Sequence, residues 1–97
     1  MGKAWPVSVR YTRRALRQMT EVLDYIEARS PQGTESVKRR LKATIDLLAD
    51  HPKAGRATNK GDLRRLVANP YPYVIFYRTD DTGIVIHAVR HTARRPR

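Results

Sequence analysis

Leu63-Arg64-Arg65-Leu66-Val67-Ala68-Asn69-Pro70-Tyr71-Pro72-Tyr73-Val74-Ile75-Phe76-Tyr77-Arg78 reads as two β-type runs either side of an Asn-Pro-Tyr-Pro turn. Arginines and tyrosines are threaded through both runs. A purely structural sheet has no need of guanidinium groups beside aromatics. A surface meeting phosphates, bases or an acidic protein does, because Arg forks match anionic oxygens and stack on flat rings.

Working outward, residues 84–89 form a third strand of this group, joined to the second by Asp80-Asp81-Thr82-Gly83, which is hairpin-turn chemistry. Upstream lies a basic loop, residues 53–62, with glycines at positions 55 and 61. Before it, Val37, Leu41, Ile45 and Leu48 space the apolar stripe of a helix over 31–50. Ser30-Pro31 supplies its cap and first helical position, and Pro52 pushes His51 out of α geometry at its end. Leu16, Met19, Leu23 and Ile26, flanked by Ala15 and Val22, predict an earlier helix over 12–29 that Thr12 can cap. Val7, Val9 and Tyr11 alternate with Ser8 and Arg10, predicting a short strand over 6–11. The order is β-α-α-β-β-β, one domain spanning 1–97 with a basic tail at 90–97. Apolar faces on the helical hairpin and on the sheet need each other, so the fold class is a two-layer α+β domain.

Twenty Lys and Arg against nine Asp and Glu leave +11 on 97 residues. Such a field draws in polyanions or an acidic partner, and nucleic acid, the ribosome or a nucleic-acid-handling enzyme are the first to consider. Arg13, Arg14 and Arg17 crowd the first turns of helix one, where the dipole favours acids; they either solvate the surface or meet an acidic partner. Arg17 has Glu21 one turn away to offset part of that cost. The chain has no cysteine, which excludes disulfides and thiolate catalysis. No apolar run approaches the roughly 20 residues of a bilayer span, and the N-terminus lacks a signal-peptide core. The expectation is a cytoplasmic protein without membrane contact.

His51, His87 and His91 are scattered, and no acidic cluster has ligand spacing, so no metal and no cofactor are expected. His87 alternates with Val85 and Val89 and reads as a core or rim histidine. Tyr71, Tyr73 and Tyr77 read, one by one, as sheet packing. What remains is an Arg/His/Tyr set that could dock on a macromolecule. It could also run metal-free RNA cleavage, with His91 or a tyrosine moving protons and Arg64, Arg65, Arg78 and Arg94 holding charge.

Several pieces in order resemble one family: Tyr25-Ile26, Leu48 through Pro52 with Gly55-Arg56, Leu63-Arg64-Arg65-Leu66, Tyr71-Pro72-Tyr73-Val74-Ile75-Phe76-Tyr77, and His91 followed by Arg94 and Pro96. Together they look like the RelE/ParE superfamily of bacterial type II toxin–antitoxin toxins. The resemblance implies a helical hairpin on an antiparallel sheet, a cognate antitoxin in a hetero-oligomeric complex, and one of two activities. The RelE-like branch cleaves mRNA on the ribosome; by resemblance His91, Arg94, Arg65 and Arg56 would then be catalytic. Val67 and Val74, however, stand where that branch places a lysine and an arginine, and no terminal tyrosine follows His91. The ParE-like branch poisons DNA gyrase without cutting RNA, and Val89-Arg90-His91-Thr92-Ala93-Arg94 reads like its last strand and tail, with Arg95 where an aspartate is usual. The reading adopted is a ParE-like gyrase inhibitor, an enzyme only if the mRNA-cleaving alternative holds; a non-toxic nucleic-acid-binding module is the second alternative. Target or phosphate contacts are expected from Arg64, Arg65, Arg78, His91, Arg94 and Arg95, and antitoxin contacts from Arg13, Arg14 and Arg17.

Overall fold

Two hydroxyl side chains decide where the helices begin. The computed structural model describes residues 8–92. Thr12 is extended, and its Oγ1 accepts from the Ala15 N–H at 3.0 Å, opening α1 (Arg13–Glu27). Ser30 accepts from the Gly33 N–H at 3.0 Å and opens α2 (Pro31–Asp50). Each cap satisfies a donor that a helix start leaves unpaired. α1 is shorter than the expected 12–29 because Thr12 is its cap and Arg29 turns back on its last turn. The Arg29 guanidinium donates to the Tyr25 carbonyl and lies 3.8 Å over the Tyr25 ring.

Five strands follow the order β1 (Ser8–Tyr11), β5 (Gly83–His91), β4 (Tyr73–Asp80), β3 (Arg64–Val67), β2 (Arg56–Ala57) across one sheet. The two-layer α+β architecture is as expected, with three corrections. The sheet is mixed rather than antiparallel, because β1 runs parallel to β5; alternation along a strand carries no information about its partner's direction. The basic loop contains β2, two exposed residues paired with β3 and too short to show a period. β5 continues through Arg90 and His91, which pair with Val74 and Tyr73, so the tail read at 90–97 begins two residues later.

Val37, Leu41, Ile45 and Leu48 of α2 are buried, as their spacing requires, against Ile75, Tyr77, Ile84, Ile86 and Val89. On α1 the inward line runs Ala15, Met19, Val22, Ile26. Leu16, one residue off that line, is 52% exposed. At the β4–β5 hairpin Asp80 accepts from the Thr82 N–H at 2.9 Å, its hydroxyl at 3.0 Å and the Gly83 N–H at 3.1 Å. Arg10 on β1 pairs with the same carboxylate. That guanidinium, then the Thr82 N–H, hold Asp80 well below the usual carboxylate range.

Tyr77 joins the layers. Fully buried, its Oη donates to the Pro52 carbonyl at 2.7 Å and accepts from the Gly55 N–H at 2.8 Å. A Cβ on Gly55 would lie 2.5 Å from that oxygen and 2.8 Å from the Arg65 carbonyl, so only glycine fits this approach. Arg64 completes the clasp, donating from Nη1 to the Gly55 carbonyl at 2.7 Å.

Tyr77→Phe strands a buried N–H and should cost about 1–3 kcal/mol, or roughly 4–8 °C of melting temperature per kcal/mol in a domain this size. Thermal denaturation measures it; a variant melting with the parent would show that the clasp contributes nothing to stability.

Candidate functional site

The strands alternate, so the residues between the core positions share the sheet face turned away from the helices. Register assembles them in rows: Arg56, Arg65, Phe76 and Ala88; Val67, Val74 and Arg90; Arg78, Val85 and Arg10. Five arginines on one face of a small sheet is a concentration of charge that the helix-side core excludes. Arg56 and Arg65 are direct cross-strand partners, an arrangement that costs free energy unless an anion lies between like charges.

One extra residue shapes this face. The β4–β5 register pairs Phe76 with Ala88 and Tyr77 with Ile86, leaving His87 as a bulge. Beyond Ile86 no β1 residue pairs with β5, and α1 side chains take over the edge. Thr12 Oγ1 donates to the His87 carbonyl at 3.1 Å, and the Val89 N–H donates to Gln18 Oε1 at 2.9 Å. The start of α1 is thereby fastened to the bulge, and Arg14 is carried over the sheet. A cavity of about 570 Å³ results, lined by Arg14, Lys60, Leu63, Phe76, His87 and Arg90 among others.

His87 lies half-buried in that cavity. Its Nε2 is closed off from solvent with no hydrogen-bond partner among the described residues. Burial, then the Arg78 charge, lower its pKa from the ordinary 6.5; Asp62 pulls the other way, and Arg14 adds a smaller depression. Burial and the Arg78 charge thus favour the neutral ring.

The residues singled out in the sequence divide between two faces. Arg65, Arg78 and Arg56 share the open face, whereas Arg64 pairs with Tyr77 on the helix side and is held by Gly55. Arg14 lines the cavity, while Arg13 and Arg17 are exposed on α1, and no ion pair joins Arg17 to Glu21 among the described residues. His91, expected just past the last strand, is its final residue and meets the Tyr73 ring edge-on with centroids 5.4 Å apart. Arg94 and Arg95 lie outside the described residues. Sequence reasoning passed over His87, Arg90, Lys60 and Arg10 as site residues. Their grouping depends on a bulge and on a parallel pairing, neither of which leaves a period in the chain.

On the helix side a second groove, about 510 Å³, is lined by Val9, Tyr11, Met19, Leu23, Leu41 and Ile45, with Lys38, Lys42 and Asp46 at its rim. Lys42 pairs with Asp46 at 3.1 Å. No described helix is long and apolar enough to cross a membrane.

Comparison with known proteins matches residues 9–96 to the family described as ParE toxin of type II toxin-antitoxin system, parDE. Toxin RelE2 of Caulobacter vibrioides is 42% identical over 84 residues, 87% of this chain and 93% of that protein. A putative toxin, Y4kP of Sinorhizobium fredii, is 39% identical over 72% of this chain and 73% of its own length. Among solved structures, a chain of the chromosomal ParDE system from P. aeruginosa superposes with a TM-score of 0.76 at 18% identity, covering 88% of this chain and 95% of its own, a likeness of fold. A chain of the RelBE2 toxin-antitoxin complex from Mycobacterium tuberculosis gives 0.62 at 25% identity, over 95% and 98%.

A histidine whose folded pKa lies below its unfolded value leaves the unfolded chain binding more protons in between. Its contribution to stability is therefore complete above about pH 6.5 and is lost as pH falls through the window beneath. His87→Gln should flatten the loss of stability between about pH 7.5 and 5.5, read from urea unfolding at both values. Equal losses in parent and variant would rule out His87 as the group responsible.

Proposed function

This chain belongs to the RelE/ParE superfamily of toxins from type II toxin–antitoxin systems, and we propose that it acts as a ParE-like inhibitor of DNA gyrase held in check by a cognate antitoxin. The observation that carries the gyrase reading is the row Val67–Val74. Two apolar side chains, one of them 4% exposed, fill the part of the open face where an mRNA-cleaving member of the superfamily carries cations. Such a row cannot hold a phosphate. An apolar strip flanked by Arg65, Arg78 and Arg90 instead suits a protein surface, with anchoring contacts at the centre and charge steering at the rim. Arg94, outside the described residues, is assigned to the same contact by the resemblance alone.

The antitoxin's place is the groove between β1, α1 and α2. Its apolar floor fits the apolar face of an amphipathic segment, and the +11 charge of the chain favours fast capture of an acidic partner. This differs from a contact centred on Arg13, Arg14 and Arg17, although Arg17 stands on the same helix.

One observation favours the alternative, mRNA cleavage on the ribosome: a histidine, two arginines and a lysine share a cavity, the residue types that metal-free cleavage uses. The two mechanisms part cleanly in purified systems. The toxin should inhibit supercoiling by gyrase and trap cleaved DNA, while mRNA stays intact in a reconstituted translation system. Codon-positioned mRNA cuts with gyrase unaffected would reverse the assignment. Arg65→Ala should weaken gyrase inhibition with little change in melting temperature, since Arg65 makes no ion pair among the described residues; Arg94→Ala should weaken the inhibition as well.

Expression without a partner should arrest growth, and co-expression of the adjacent acidic antitoxin should restore it. Unimpaired growth at high soluble expression in the native host would count against a toxin.

A further inference from the structure

α2 carries a groove on each of two sides. The one it shares with β1 and α1 is apolar, and the charges at its rim are already matched along the helix: Lys42 pairs with Asp46 at 3.1 Å and Lys38 with Glu35 at 3.7 Å. The other, about 460 Å³, lies between α2 and the β3–β4 turn, lined by Ser36, Arg39, Arg40, Ala43, Pro70 and Tyr71. Here the charges are unmatched. Arg39 and Arg40 are exposed, neither is in an ion pair among the described residues, and no acid lines the groove. At helical spacing the two arginines flank the line of Ser36 and Ala43, whose small side chains leave room for another chain between the guanidiniums. Leu47, one turn beyond Ala43, is 43% exposed and gives the same ridge an apolar end.

The two grooves stand roughly 140° apart around α2, a crossing of about 15–20 Å that five or six extended residues span. Arg39 and Lys42, three residues apart, stand on neighbouring sides of the crossing. One groove asks for apolar side chains and the other for carboxylates, so a single chain can satisfy both in sequence.

We propose that the antitoxin saddles α2: a segment anchored by apolar side chains between β1, α1 and α2 crosses the helix and sets an acidic stretch between Arg39 and Arg40, against Tyr71. The inference rests on the antitoxin reading above and adds a second surface to it, on the side of α2 that faces the β3–β4 turn. Joining the two contacts makes the second one intramolecular, so exposed charge pairs that are weak singly add usefully to the hold. Leu47, Ala43 and Pro70 beside the arginines suit a protein chain better than a strand of nucleic acid.

The test uses full-length toxin and the antitoxin from the neighbouring reading frame, whole and cut short of its acidic stretch. Arg39→Gln/Arg40→Gln toxin should bind whole antitoxin roughly tenfold or more weakly than the parent does, with a shallower salt dependence. Its gyrase inhibition and melting temperature should not change. Shortened antitoxin should bind parent and variant alike, because the partner of the arginines is gone. Ala43→Glu should weaken whole antitoxin as well, and the Ala43 methyl and Tyr71 ring resonances should move only in the complex with whole antitoxin. Equal binding of whole antitoxin by parent and variant would overturn the saddle and leave the antitoxin reading standing. Loss of gyrase inhibition in the variant at unchanged antitoxin affinity would give the ridge to the target instead and also overturn it. A parent toxin that binds neither form of antitoxin would remove the antitoxin reading, and the saddle with it.

Discussion

The hydroxyl of Tyr77 is the point on which the layers of this domain close. It is buried at the middle of β4 and makes both its hydrogen bonds to the chain leaving α2, at Pro52 and Gly55. Without them the turn out of the helix would leave a buried N–H and carbonyl unpaired. With them, the chain is directed back along the sheet edge, and Arg56 comes to lie beside Arg65. The glycine is required because the tyrosine oxygen occupies the space a side chain would need. The helix-side packing and the charge on the open face thus depend on one contact.

The open face depends on a second constraint, the extra residue at His87. A bulge leaves backbone groups unpaired, and here the start of α1 supplies the partners through Thr12 and Gln18. The cap of α1 therefore has two tasks, starting the helix and fastening it to β5. That fastening places Arg14 over the sheet, where its charge is unfavourable for the helix dipole. A cation held where the helix disfavours it, near a half-buried imidazole whose Nε2 has no partner among the described residues, is a local arrangement that folding alone does not require.

Charge and apolar surface are segregated on this molecule. Five of the six strand arginines lie on the face away from the helices, Arg64 being the exception, while an apolar groove lies between β1, α1 and α2. A protein that must meet one partner to act and another to be silenced can use two such faces independently. The thinness of α1 packing makes the second face available: its inward line is mostly half-buried, and only Ala15 is fully covered.

The layers of the fold were legible in the chain because they follow from local periods. The α2 stripe of Val37, Leu41, Ile45 and Leu48, the caps at Thr12 and Ser30, and the hairpin at Asp80 to Gly83 each need only nearby residues. The resemblance to a toxin family was carried in the same way, by short pieces in a fixed order. The side of the sheet each arginine takes was only partly legible: Arg64 and Arg65 must point oppositely, but which one meets the core depends on Tyr77, thirteen and twelve residues away. The parallel placement of β1, the pairing of β2, the bulge at His87 and the meeting of Arg14, Lys60 and Arg90 were decided by tertiary structure. Each depends on which distant backbone group satisfies which, and that is set when the layers pack.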